Sequence, residues 1–431
     1  MMNRAFRILT CSFLLFLTGC SSLQGLDLDW INNILYTPTP VPVKTSTPTP
    51  QPTSATQPAT QQPQPAVTEP TTIRIWLPPQ FNPNADTTAS TLLKQKLTSF
   101  EAEHPGYVVD VRVKSEEGEA SLFNSLAITS MAAPGALPDL IALPRSSLEA
   151  AVQKRLVQPL DELPSNLQNI DWYPYARDLG KVDGTMYGLP FAGDALVIIY
   201  RPDLVWIKNW DSILLSEGHL MFAGSDPQAQ IGLALYVSAG GDLQDAQGKP
   251  TLDQEILGRV LELFSKATVA DIFPDAALNI ASEAQAMQEY RARRTDMVIA
   301  HYSQYRSTQD GLMQPLMGLD VEHLTFATGW VWALPNQPPA TQQITLELAE
   351  SLMADDFLPR WVGESGYLPT SPSSLTGSDQ EFVTPVIQAA QLAPANEVFL
   401  ALGPLMQEAI ARVLHGEQPA VVARSIIEKL K

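Results

Sequence analysis

The feature that most restricts the fold is the order of periodicities between residues 73 and 143. In TIRIWL, Ile73, Ile75 and Leu77 recur at every second position, as on one face of a strand. Leu93, Leu97 and Phe100 follow at i, i+4 and i+7, a helical stripe that His104, Pro105 and Gly106 bring to an end. YVVDVRV alternates again, with Val109, Val111 and Val113 facing in. A helical stretch from Leu122 to Met131 then leads through PGALPD to the short apolar strand LIAL, residues 140–143. This is β-α-β-α-β, and it predicts a parallel sheet with helices on its faces. Right-handed crossovers place the loops that begin at Pro78, Lys114 and Pro144 along one edge, where such sheets hold ligands.

The pattern continues downstream. LVIIY, residues 196–200, is apolar throughout and suits a buried central strand; Ile256, Val260 and Phe264 mark a helix; DMVIA from Asp296 reads as a strand. In TGWVWALP the spacing of Trp330 and Trp332 puts both indoles on one face of a strand, with Gly329 leaving the backbone beside them bare. A final helix carrying Met406, Ile410 and Val413 stops near Gly416. No repeat of fixed period appears, and 431 residues suffice for more than one lobe.

The N-terminus reads as a secretory signal: Arg4 and Arg7 precede an apolar run, residues 13–17, too short to span a bilayer. The run ends in LTGC, which resembles the lipobox of bacterial lipoproteins. That resemblance implies cleavage after residue 19 and lipidation of Cys20. Cys11 leaves with the signal and Cys20 carries lipid, so no thiol pair remains for a disulfide. Residues 1–19 hold two basic and no acidic side chains; their removal leaves 25 bases against 46 acids, a formal charge of −21. So acidic a surface repels phosphates and argues against nucleic-acid binding. Residues 37–72 contain ten prolines and eleven threonines with one Lys and one Glu. With nothing apolar to bury, such a stretch is a spacer of up to about 100 Å.

From residue 73 onward the chain resembles the extracellular solute-binding proteins of bacterial ABC importers, the family that includes maltose-binding protein. The segments that carry the likeness run in family order: IRIWL, LTSFEAEHPGYVVDV, LPDLIAL, LVQPLDEL, DGTMYGLPFAGDALVIIYRPDL, SAGGDLQDAQGKPTLD, TGWVWALPNQ, GYLPTSPSSL and EAIARVLHGEQPAVVARSII. Arg201-Pro202 and Arg294-Thr295 depart from residues the family commonly has there. The resemblance implies an α/β, two-lobe periplasmic-binding-protein-like (type II) fold, each lobe a sheet flanked by helices, with a multi-strand hinge. Residues 1–19 are then a signal peptide and 20–72 a disordered Pro/Thr-rich tether. Residues 73–190 and 328–366 form lobe 1; 191–327 and 367–431 form lobe 2. Hinge crossings fall near residues 189–193 and 327–329 and after GYLPTS. It further implies a monomeric, lipid-anchored extracytoplasmic receptor, without cofactor, that closes on a small solute and delivers it to an ABC permease. A sensory lipoprotein of the same fold is the alternative.

Sugars present hydroxyls and weakly polar C–H faces, so a site for them pairs carboxylates and donors with flat rings. Matched to the family's ligand positions, Asp194 at the first hinge is a carboxylate contact, with a hinge cap as its other reading. Arg145 and Ser146 follow LIAL in a binding loop or a merely solvated one. Glu116 and Glu117 follow VRVKS. Among aromatics, Phe81 follows the first strand, Tyr302 and Tyr305 follow DMVIAH, and Phe399 precedes the last helix. Trp330 is expected to line the cleft and Trp332 to be packing; Tyr187 and Tyr367 flank hinge turns and rank below Tyr302. No motif speaks for an enzyme: His104, His219, His301, His323 and His415 lack His-Glu-x-x-His spacing, and there is no Gly-x-Ser-x-Gly elbow and no phosphate loop. A glycosidase carboxylate pair is not excluded by counting acids.

Overall fold

Two strands organise the chain. β6, Gly188–Tyr200, is thirteen residues long and buried at every one of them. β10, Thr325–Ala333, runs antiparallel beside it from Ala333 opposite Gly188 to Ala327 opposite Ala195. The computed structural model describes residues 70–161, 170–204, 207–336, 341–375 and 380–430, all within one unit of the chain, Val67–Lys431. The signal peptide, Cys20 and the tether up to residue 69 lie outside these residues.

On one side, β10 pairs with β3, Leu140–Pro144, which leads through β1, Thr71–Leu77, to β2, Tyr107–Val113; β1 is parallel to both. On the other, β6 pairs antiparallel with β8, Met297–His301, and with β9, Leu312–Pro315, and β8 is parallel to β7, Leu220–Met221. β4, Lys181–Val182, and β5, Thr185–Met186, form a separate hairpin, and β11, Ala390–Leu392, joins β10. The path β2-β1-β3-β10-β6-β8-β7 is therefore hydrogen-bonded throughout. It is continuous because β6 and β10 are long enough to serve both halves.

Side chains nevertheless divide into two cores. One gathers Ile73, Leu93, Phe100, Leu143, Phe191, Trp332 and Trp361; the other gathers Leu196 to Tyr200, Leu235, Phe264, Ile299, Phe326 and Met406. Along β6 the change comes between Ala192 and Ala195, along β10 between Ala327 and Trp330, and a third passage lies at Tyr367–Leu368, where Leu368 bridges to Gly193. The helix Pro174–Arg177, in the span expected to be lobe 1, puts Tyr175 and Ala176 into the second core.

The β-α-β-α-β start forms as the periodicity predicts, with the helix Thr88–Glu103 capped by the Thr87 side chain on Ser90 N–H and followed by Gly106 at φ +107. Three details differ. β1 begins at Thr71, inside the stretch assigned to the tether. The helix with Met406, Ile410 and Val413, Asn396–Leu414, is not the last, since Gly416 at φ +90 turns the chain into Pro419–Leu430. The buried stripe of Gln254–Val269 is Leu257, Val260, Leu261 and Phe264 rather than one through Ile256.

The passages between cores are tight. A Cβ on Gly193 would lie 2.1 Å from the Tyr175 hydroxyl, and one on Gly329 would lie 2.3 Å from the Ala192 carbonyl oxygen. Gly193→Ala therefore displaces the buried Tyr175 ring and Gly329→Ala forces backbone apart, and each should cost about 1–3 kcal/mol. Gly258→Ala, mid-helix with nothing within 4 Å of its Cβ, should gain up to about 1 kcal/mol. Urea-unfolding midpoints of the three variants check the contrast.

Candidate functional site

At the end of β1 the chain turns through a short helix, Pro79–Phe81, that places two unlike side chains. Phe81 is buried and meets four rings edge-on: Phe191 at 5.4 Å, Trp330 at 5.2 Å, Trp361 at 5.2 Å and Tyr367 at 5.3 Å between centroids. Edge-to-face contacts of this kind add to the burial of the rings themselves. Gln80, one residue earlier, is exposed and close enough to the Glu116 carboxyl and the Tyr367 hydroxyl to lower the pKa of each. The Trp330 indole acts on that hydroxyl in the same way. Polar groups from the loops after β1 and β2 and from within β10 thus converge on Tyr367, at the third passage.

Asp194 lies one residue past Gly193 on β6 and is 7% exposed. Its Oδ1 accepts from the backbone N–H groups of Ala195 (3.0 Å) and Ser303 (3.1 Å), and its Oδ2 from the Ser303 hydroxyl (2.5 Å). The carboxylate therefore caps the helix Tyr302–Arg306 that follows β8. Burial pushes its pKa above the usual carboxylate range, while His301 and these hydrogen bonds pull the other way. The same charge helps to raise the Tyr367 hydroxyl pKa, after desolvation.

Beyond Asp194, His301 at the end of β8 is also in electrostatic reach of Asp226, in the loop after β7. Asp226 accepts from the N–H groups of Gln228 (2.9 Å) and Gln230 (3.1 Å) and so starts the helix Gln230–Ser238. Its pKa is raised chiefly by desolvation and further by Glu283. Glu116, Gln80, Tyr367, Asp194, His301, Asp226 and Glu283 are thus each in electrostatic reach of the next, from the first core to the second. Among the described residues no three His, Cys, Asp or Glu side chains could together hold a metal ion.

Of the residues singled out in sequence, the structure brings Phe81, Trp330, Tyr367 and Glu116 together, with Asp194 close by. Trp332 is 3% exposed and stacks on Phe191 at 4.3 Å, which accords with packing. Others are engaged elsewhere. Arg145 ion-pairs with Glu149 (2.8 Å) and donates to the carbonyls of Asp178 (2.9 Å), Leu179 (3.0 Å) and Lys181, so it fastens a loop of the first core. The carbonyl of Ser146 accepts from the Asn396 amide, and Glu149 accepts from Asn396 N–H, joining the first core to the start of Asn396–Leu414. Tyr302 is buried in the second core, Phe399 sits there edge-on to Phe326 at 6.3 Å, and Tyr305 packs against its rim. Glu117 is exposed, and Tyr187 packs against the first core. Gln80, His301, Asp226 and Glu283 were not singled out; only the strand-end position of His301 and the Asp-Pro pair after β7 hinted at them.

Glu116 is exposed as a residue, yet partial desolvation of its carboxyl is the first cause of its raised pKa, eased by Gln80 and worsened by Glu117. A carboxyl with a folded pKa above its unfolded one holds its proton longer in the native state. Its contribution to stability thus falls as pH rises from the ordinary carboxylate range through the raised value, and returns on acidification. Replacing Glu116→Gln should make the Tm less dependent on pH than in the parent across that window. Calorimetric Tm values at a series of pH values from about 4 upward would show the difference.

Residues 96–395 match the family model described as bacterial extracellular solute-binding protein. Over 107 residues the chain is 33% identical to the mannitol-binding protein of Pseudomonas aeruginosa, a stretch covering 24% of this chain and 23% of that one. The chain thus spans about a quarter of the length of the curated relative it matches. The GacH receptor of Streptomyces glaucescens, solved unliganded and with acarbose and an acarbose homolog, superposes with a TM-score of 0.63 at 16% identity, covering 84% of this chain and 98% of that one. The sugar-binding protein MalE of Xanthomonas citri does so at 0.65 and 17%, covering 84% and 96%. Identities this low establish the shared two-lobe α/β fold. With the family model spanning well over half of its length, the chain belongs to the bacterial extracellular solute-binding proteins.

Proposed function

We propose that the protein is a lipid-anchored extracytoplasmic receptor that captures a sugar, oligosaccharide or related polyol and delivers it to an ABC-type permease. Cys20 carries the lipid, the segment from there to the start of β1 at Thr71 holds the body off the membrane, and the two lobes built around the two cores close on the solute. The observation that carries the reading is the row of aromatic and acceptor groups where the cores meet: Phe81, Trp330 and Tyr367 with Gln80, Glu116 and Asp194. The half-buried Tyr367 ring suits the C–H face of a sugar, Phe81 and Trp330 back it from within the first core, and carboxylates and an amide suit the sugar's hydroxyls. The mannitol-binding relative and the acarbose-bound neighbour support the solute class. No helix among the described residues is long and apolar enough to cross a membrane, which suits a body displayed outside the cell on a lipid.

Binding favours closure because the solute touches both lobes when they are shut and one when they are apart. Residues 67–431 should give saturable, one-to-one heat in titration calorimetry with at least one of mannitol, maltose and acarbose, and a smaller radius of gyration in solution scattering when saturated. The bound sugar should be recovered chemically unchanged. Tyr367→Phe, which removes the hydroxyl shared by Gln80 and Trp330, should weaken binding about tenfold. Absence of heat and compaction with every sugar of a broad panel would refute the solute class.

A further inference from the structure

Glu283 opens the helix Glu283–Arg291 and is only 9% exposed, yet its Oε1 is buried without a hydrogen-bond partner. Among the described residues two other side-chain atoms share that condition, the indole nitrogens of Trp76 and Trp332. Those belong to rings packed in the first core. A carboxylate oxygen is a different matter, because an ionised group loses far more on leaving water and regains it only from a donor.

The surroundings of Glu283 are built so that the protein does not supply that donor. Its neighbour Asp226 is an acceptor already occupied by Gln228 and Gln230. The loop that carries Asp226 is clamped from two sides. A Cβ on Gly224 would meet the Ala277 carbonyl oxygen at 2.6 Å, and one on Gly403 would meet that of Pro227 at 2.3 Å. Ser225 N–H is tied to the Ile280 carbonyl at 2.9 Å, and Ala229 is held in the left-handed region at φ +45. A non-glycine residue keeps that conformation only where its surroundings enforce it, and such strain gathers at functional sites. The loop is thus fixed in place, and the open oxygen stays open.

Charge is not what Glu283 lacks. It stands in the first turn of its own helix, where the dipole favours a negative group, and Asp226 has two helix-start amides of its own. What is missing is one hydrogen atom to accept, and a neutral hydroxyl supplies it without a surplus charge.

We propose that Glu283 Oε1 accepts a hydrogen bond from a hydroxyl of the captured solute, which makes Asp226, Glu283 and His301 the second-core wall of the binding site. The proposal rests on the sugar-receptor reading above and adds to it the residue that selects for a hydroxyl at that end. The test compares the full chain with Glu283→Gln and Glu283→Leu, by thermal unfolding without sugar and by titration with mannitol, maltose, glucose and glucosamine.

Leucine removes the unanswered oxygen, and that relief outweighs the lost helix-dipole interaction. The sugar-free Tm of Glu283→Leu should therefore rise, by about 2 °C or more. Its affinity for whichever neutral sugar binds the parent should fall about tenfold or more, while Glu283→Gln, whose amide oxygen still accepts, should keep more of it. A lowered sugar-free Tm in Glu283→Leu would make Glu283 a structural brace and overturn the proposal, as would an unchanged affinity in that variant. Glucosamine bound more tightly than glucose, with the preference erased by salt, would show a cation site and overturn the hydroxyl assignment while leaving the receptor reading intact. If the parent binds no sugar at all, the receptor reading fails and this proposal with it, whatever the Tm values.

Discussion

The structure depends on the antiparallel ladder between β6 and β10, because it is the one element that both cores share. Each strand contributes side chains to the first core at one end and to the second at the other. The backbone hydrogen bonds that join the halves therefore cannot be broken without unpairing buried amides, which is costly. The only freedom left lies where side chains change allegiance. There Gly193 faces Gly329 across the ladder, Leu368 completes a third strand's worth of contact, and the Tyr175 hydroxyl donates to the Pro369 carbonyl at 2.8 Å beside them. Side chains larger than hydrogen are excluded at those two glycines, so the three passages stay in register while neither core extends over them.

That vacancy of apolar cover explains where the acids are. Asp194 and Asp226 are both buried, and both are answered by backbone amides at the start of a helix. Glu149 follows the same rule across the two cores, accepting the first N–H of Asn396–Leu414, whose preceding residue, Ala395, has no side-chain cap to offer. For Asp194 and Asp226, helix starts serve as the hydrogen-bonding counter-groups, whereas Glu149 adds to its helix start an ion pair with Arg145 at 2.8 Å. The arginines are correspondingly occupied elsewhere: Arg145 by carbonyls and Glu149, Arg201 by Asp310 and the Tyr290 carbonyl. The surface where the cores meet is in consequence rich in acceptors and rings.

The architecture was legible in the sequence because period two and period 3.6 are local properties, and the strands at Ile73, Val109, Leu196 and Met297 formed where alternation or apolar runs put them. The site was legible only in part. Phe81 and Glu116 follow strand ends and Trp330 lies within a strand beside Gly329, positions that local pattern reveals. Partner choice is not local: Asp194 meets Ser303 across 109 residues, and Arg145 meets carbonyls 33 to 36 residues on. Nothing in either residue's neighbourhood announces those contacts. Tyr367 was ranked low as a turn residue, and its importance comes from Gln80 and Trp330, both far away in the chain.

The two indoles of β10 show how finely the passage separates packing from polar chemistry. Trp330 and Trp332 occupy alternate positions, and both are nearly buried, at 5% and 3% exposure. Between Trp330 and Val331 the register with β6 slips, so Phe191 has no residue opposite it. A bulge of this kind turns a side chain aside, and Phe191 is stacked at 17° on Trp332 while also touching Phe81. Trp332 is thereby sealed, its N–H left without an acceptor. One position nearer the passage, Trp330 has Phe81 on its face and the Tyr367 hydroxyl within reach of its nitrogen. Both tryptophans belong to the first core; what separates them is the setting of the indole nitrogen, without an acceptor in Trp332 and near the Tyr367 hydroxyl in Trp330.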